Sequence, residues 1–249
     1  MGQFKRFWEI DACRGIFVIL MIFFNYSFAL KYLGIFTLVA ASNWLYWYLF
    51  PRIIGGTFIF IAGISLTLMY NKYHNLRPIV LRGLKIFAYG LGITLVTWLF
   101  FPDVFVRFGI LHLIGASIIL SLPFLRFREI NILFGAILAA AGFYLQTISF
   151  DFSWLLWLGF IPHNFYTFDY FPILPWFGVM VIGIGFGNML YPSGKRCFII
   201  HESLKNPLAC YLAFIGRNSL IFYLAHQPIL ILVLILSGLI TLSLPFILT

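Results

Sequence analysis

His112 and His226 each fall inside an apolar run long enough to enter a bilayer, in RFGILHLIG (107–115) and GRNSLIFYLAHQPIL (216–230). An ionisable side chain there costs a few kcal/mol or more, so it faces a bundle interior and is kept either for chemistry or for an interhelical bond. A neutral imidazole is the side chain best suited to take a proton from an attacking amine or hydroxyl near neutral pH, which makes both histidines candidate general bases. Arg14, Arg52 and Arg217 lie in or at the edge of apolar runs. A guanidinium in such a place pairs with a carboxylate of its own bundle or with a ligand's phosphate, and Asp11, three residues before Arg14, offers the first choice. Asn25 stands eleven residues past Arg14, about 16 Å along a helix, and His226 nine past Arg217, about 13 Å. His112, five residues into its span, is expected roughly 7–8 Å below the outer surface. With one helix running on from Arg217, Arg14 and Arg217 then sit towards the cytoplasmic leaflet, with Asn25, His112 and His226 from mid-membrane outward. That layering suits an anionic cofactor entering from the cytoplasm with its reacting end in mid-bilayer.

The elements that must position these residues follow from composition. Of 249 residues 63% are hydrophobic and only 9% charged, with a mean hydropathy of +1.03, far from a soluble domain. The fold class is all-α: a polytopic transmembrane helix bundle, since lipid leaves backbone groups no other partner. Apolar runs lie near 13–33, 44–70, 78–101, 107–125, 130–148 and 173–191. One long helix from about Arg217 makes seven spans; a break at Pro228 makes eight. Lys and Arg gather in alternate loops, among them Lys72, Lys85 and Lys195, against only Lys31 and Arg107 on the other side, so the N-terminus is expected in the cytoplasm. The same loops account for the net charge of +9, so no nucleic-acid partner is expected, and membrane lipid is. The aromatic stretch 150–171 suits headgroup depth, and His74, His163 and His201 fall in loops. Three cysteines without CxxC or Cys/His spacing give no metal site and no disulfide framework. Close-spaced glycines (Gly55, Gly56, Gly63, Gly183, Gly185, Gly187) read as helix-packing contacts, because no P-loop pattern accompanies them.

Five segments in this order, EIDACRGIFVILMIFFNYS (9–27), FIFIAGIS (58–65), RFGILHLIG (107–115), FPILPWFGVMVIGIGFG (171–187) and GRNSLIFYLAHQPIL (216–230), resemble the catalytic membrane domain of the heparan-α-glucosaminide N-acetyltransferase family, the short prokaryotic members most of all. The resemblance covers nearly the whole chain and implies one transmembrane acyltransferase-like domain over 1–249 in the cell membrane. It implies that acetyl-CoA (acyl-CoA) serves as co-substrate from the cytoplasmic side and that an amine or hydroxyl of a sugar or amino-sugar acceptor receives the acyl group. Asn25 matches the active-site asparagine closing the first motif and His226 the histidine of the GxNSxxxYxxH pattern. His112 occupies a helix where some members carry Gln. The family's animal enzyme has a catalytic histidine in the loop after the first span, where this chain reads KYLGIFTLVAASNW without one. Asn25 cannot accept a proton but can donate to an oxyanion. The base is then His226 or His112, and Arg14, Arg52 and Arg217 are the candidates for CoA phosphates or for ordering the cytoplasmic mouth. The alternative is a non-catalytic transporter or scaffold that keeps the fold and CoA or lipid binding. The sequence leaves a homo-oligomer open.

Overall fold

Apolar runs of this length can satisfy their backbones in lipid only as helices. The computed structural model, which describes residues 6–34, 39–40, 42–73, 75–200 and 206–239, contains α1 (Trp8–Tyr32), α2 (Phe50–Tyr73), α3 (Arg77–Phe100), α4 (Ile110–Leu120), α5 (Asn131–Leu145), α6 (Ile173–Leu190), α7 (Pro207–Arg217) and α8 (Ser219–Leu236). A π-helical turn, Leu45–Leu49, leads into α2, and a 3-10 turn, Arg128–Ile130, leads into α5. With those turns counted, six helices are long and apolar enough to cross a membrane, whereas α4 and α7 are shorter. Leu91, Leu95, Trp98, Leu133 and Leu232 lie exposed on their helices, as faces turned to hydrocarbon do. The chain is a multi-pass integral membrane protein built as an all-α bundle. It divides into two compact units, Met1–Phe58 with Ile200–Thr249, and Ile59–Ile199, the boundary falling inside α2. The expected loop residues His74 and His201 lie outside the described residues.

In the first unit α1 carries Glu9 and Asp11 in its first turn and Lys31 in its last, charges that complement the helix dipole at both ends. α7 opens on Asn206, whose side chain accepts from the Ala209 N–H at 2.8 Å, followed by Pro207, whose missing N–H costs nothing at a first helical position. α7 runs antiparallel to α1 at very close range: a Cβ on Gly216 would strike the Asp11 carbonyl, and one on Gly15 the Leu212 carbonyl. The chain then reverses at Asn218, and α8 runs alongside α1 in the same direction, Gln227 beside Asn25 and Leu230 and Leu234 beside Leu30. The break in this C-terminal run is therefore at Asn218, and Pro228 stands inside α8. Tyr46, at the far end of α1, donates to Ser27 Oγ at 2.7 Å and packs with Phe24, Trp47 and Phe50.

The second unit is organised on α6, whose Met180, Val181 and Ile184 are completely buried. Without a hydrophobic force between helices in lipid, association relies on close packing and interhelical hydrogen bonds. Gly63 of α2 and Gly183 of α6 let the two backbones touch, and Thr67 Oγ1 donates to the Ile184 carbonyl at 3.1 Å. Of the expected fourth span, 107–125, only Ile110–Leu120 is α-helical. The residues before it pair as extended chain with the 165–171 loop, Phe168 N–H to Val104 O at 3.1 Å and Phe171 N–H to Phe108 O at 3.0 Å. After it Pro123 begins a 3-10 turn, since proline cannot continue the donor ladder. The aromatic stretch is pinned rather than loose. Its two short strands, β1 (Ser149–Phe150) and β2 (Ile161–Pro162), pair in parallel, Thr167 Oγ1 donates to Phe105 O at 2.7 Å, and Tyr170 OH to Leu156 O at 2.8 Å. Burial pushes the Tyr170 phenol well above its ordinary value, so it stays a donor.

Candidate active site

Five of the six sequence candidates belong to the first unit, and α1 sets their order. At its start Arg14 Nη1 lies 3.1 Å from Asp11 Oδ1 and donates across to the Gly216 carbonyl at 3.4 Å. Both partners of the pair are mostly buried, at 16% and 13% side-chain exposure, so the guanidinium is a helix clamp as well as a charge. The next residue after Gly216 is Arg217, exposed in the last turn of α7, with Nε donating to Ala213 O at 3.2 Å. Its two terminal nitrogens have no partner among the described residues. The α7–α8 reversal thus brings Arg14 and Arg217 to one end of the unit. Arg52 is not with them: it follows Phe50, which packs on Phe24 next to Asn25 in the chain. There its Nη1 donates to Tyr48 O at 2.9 Å and its guanidinium lies 3.5 Å from the Tyr48 ring centroid. Arg52 thus lies where α2 begins, at the end of α1 remote from Arg14.

About 16 Å along α1 from Arg14 the structure joins Asn25 to α8. Asn25 Nδ2 donates to the Met21 carbonyl at 2.9 Å, and its Oδ1 accepts from Gln227 Nε2 at 3.1 Å. Next to Gln227 stands His226, whose Nδ1 lies 2.6 Å from the Tyr223 carbonyl. A carbonyl can only accept, so Nδ1 carries the hydrogen and Nε2 of the neutral ring holds a lone pair. Nε2 is buried and has no hydrogen-bond partner among the described residues, an expensive state for a polar atom. Pro228, two residues on and inside α8, lacks the N–H that would have bonded the Leu224 carbonyl.

His112, in the second unit, has the opposite environment. It is the third residue of α4, closer to the helix start than the sequence implied, because α4 begins only at Ile110. Nδ1 accepts from the Gly109 N–H at 3.2 Å, so the neutral ring's hydrogen is on Nε2, which faces Thr94 Oγ1 at 3.3 Å. Thr94 spends its own hydrogen on Val106 O at 2.6 Å, leaving its lone pair for that N–H. Both ring nitrogens are therefore used, the residue is 2% exposed, and Phe87 and Phe108 pack on its ring. Asp169 Oδ2 accepts the neighbouring Ile110 N–H at 3.0 Å, so imidazole and carboxylate together cap α4.

Sequence reasoning missed Gln227, Thr94 and Asp169. Gln227 was findable, being an uncharged polar residue within an apolar run beside a candidate base; Asp169 was hidden in the aromatic stretch. His163 is exposed, 3.6 Å from Asp151, as a loop residue should be. Among the described residues no three His, Cys, Asp or Glu side chains come together as a metal site.

Residues 6–228 match the family model described as heparan-alpha-glucosaminide N-acetyltransferase, catalytic. No curated protein and no solved structure matches the chain.

Proposed function

The chain belongs to the heparan-alpha-glucosaminide N-acetyltransferase catalytic family, and from that premise we propose that His226 is its general base, Asn25 its oxyanion donor, and the Arg14–Arg217 end of the first unit its grip on the cofactor phosphates. Membership makes the chain an acyl-CoA-dependent transmembrane acetyltransferase acting on a sugar-containing acceptor. The reading as a non-catalytic transporter or scaffold gives way to it.

Acyl-CoA supplies an acyl carbon activated by a thiolate leaving group, at the opposite end of a long arm from its phosphates. The first unit has a matching polarity: guanidiniums at one end, a carboxamide and an imidazole about 16 Å further along α1. Arg217 offers unspent nitrogens to a phosphate, and Arg14, already balanced by Asp11, adds positive potential beside it. Asn25 has one Nδ2 hydrogen on Met21 and its Oδ1 on Gln227, so the second Nδ2 hydrogen is available for the negative charge that grows on the acyl oxygen. His226 Nε2 accepts the proton of the acceptor's amine or hydroxyl as the new bond forms, then returns it to the departing thiolate. Arg52, held on Tyr48 at the outer end, belongs with the acceptor. His112 positions α4. We place the N-terminus in the cytoplasm and count seven spans, from the basic loops and the single long α8.

The observation that carries this reading is the buried, unpartnered Nε2 of His226, with its tautomer set by the Tyr223 carbonyl. The test is CoA release and acetyl-sugar formation by the full-length protein supplied with acetyl-CoA and glucosamine. His226→Ala and His226→Gln should both lose roughly two to four orders of magnitude in turnover, because glutamine fills the space but takes no proton. Near wild-type turnover in His226→Gln would remove His226 from the chemistry.

A further inference from the structure

A carboxamide is a useful oxyanion donor only if it is held the right way round. Asn25 has two rotamer-equivalent ends, oxygen and nitrogen, that differ in sign, and a half-turn about its last torsion would present an acceptor lone pair where a donor is needed. The Met21 carbonyl fixes one end by accepting from Nδ2 at 2.9 Å. That bond lies within α1 and leaves Oδ1 to find its partner elsewhere. The other end is fixed from α8, where Gln227 Nε2 donates to Asn25 Oδ1 at 3.1 Å. Gln227 follows His226 directly, so one short stretch of α8 carries both the proposed base and the group that holds the carboxamide in that sense.

We propose that Gln227 is a positioning residue of the acyl transfer: by donating to Asn25 Oδ1 it locks the Asn25 amide with its free N–H toward the acyl oxygen and ties that donor to the helix bearing His226. The inference rests on the assignment of Asn25 as oxyanion donor. Its chemistry is distinct from a plain interhelical clamp, which would be indifferent to which partner donates. A clamp is satisfied by any hydrogen bond between α1 and α8. Positioning demands a donor at 227, since an acceptor there would draw Asn25 Nδ2 toward itself and turn Oδ1 toward the Met21 carbonyl, two acceptors facing each other.

The experiment is a double-mutant cycle on kcat with the full-length protein, acetyl-CoA and glucosamine, using Asn25→Ala, Gln227→Met and the double variant. Gln227→Met should lower kcat by roughly tenfold to a hundredfold, the scale of a misplaced catalytic group, with KM for acetyl-CoA little changed. In the Asn25→Ala background the same change should cost almost nothing further, because Gln227 acts through Asn25. Full additivity of the two losses would overturn the proposal in favour of a separate structural role. A reduced kcat in Asn25→Ala with wild-type kcat in Gln227→Met would overturn it while leaving the oxyanion assignment standing. Wild-type kcat in Asn25→Ala would sink both. Gln227→Glu supplies a second readout should the methionine variant fold poorly: a protonated carboxyl donates to Oδ1 and a carboxylate cannot. Its activity should therefore fall, as pH rises through the introduced carboxyl's titration, relative to wild type at each pH; a pH profile parallel to wild type would count against positioning.

Discussion

Arg14 reaches the carbonyl of Gly216, the residue before Arg217, yet the bonding of the two arginines predicts that the same substitution does different things at the two sites. Arg217 is exposed and spends only Nε on its own helix, so Arg217→Ala removes a favourable cation from the end of α7 and costs stability by only about 0.3–1 kcal/mol. If its terminal nitrogens meet a phosphate, the same variant loses a charge-assisted hydrogen bond of about 1.5–3 kcal/mol, which is roughly a tenfold to 150-fold weaker Kd for CoA. Arg14 is the reverse case. Its partner Asp11 is only 9% exposed, and Arg14→Ala leaves that carboxylate without its cation and the Gly216 carbonyl without its donor. Removing one member of a buried pair costs about 3–5 kcal/mol, and the exposure that remains at the start of α1 puts this pair near the lower figure. Isothermal titration with CoA and thermal unfolding, both in one detergent, separate the effects. Arg217→Ala should keep its Tm and lose affinity, whereas Arg14→Ala should lose Tm first. An Arg217→Ala protein that binds CoA as wild type does would refute the phosphate assignment. An Arg14→Ala protein of undiminished Tm would refute the clamp.

A membrane-impermeant amine reagent should reach Lys72, Lys85 and Lys195 only from the cytoplasmic face, because the basic loops gather there; labelling of these lysines in intact cells would invert the topology and the depth order built on it. His112→Gln should keep activity within a few-fold of wild type, since glutamine at the third helical position can accept the same Gly109 N–H in a capping box. His112→Ala, by contrast, should lose roughly 2–4 kcal/mol of stability from the emptied space and the orphaned partners, read as a lower Tm in detergent. A His112→Gln protein that folds normally but turns over a hundredfold more slowly would make His112 the base after all.

The composition made the membrane and the helices legible, because lipid permits few backbone solutions and 63% apolar residues leave little else to build. Apolar periodicity could not tell where a helix stops inside an apolar run. That decided the fourth span, where Val104 and Phe108 give their carbonyls to another loop and Pro123 ends the ladder. The site was legible as residue types but not as roles. His112 and His226 look equivalent in sequence, each an imidazole in a greasy run, and their expected depths were alike. What separates them is the bonding of two nitrogens each, set by groups that carry no signature: a glycine N–H and a threonine for one, a backbone carbonyl for the other. A ring whose lone pair is already engaged cannot take a proton without breaking a helix cap, while a ring whose lone pair is buried and unmatched holds its basicity in reserve for whatever enters. On the proposed assignment, a chain without the family's loop histidine draws its base from α8. Transfer needs a proton acceptor and a fixed donor, and α8 lies along α1 in a register that sets Gln227, the residue after His226, against Asn25.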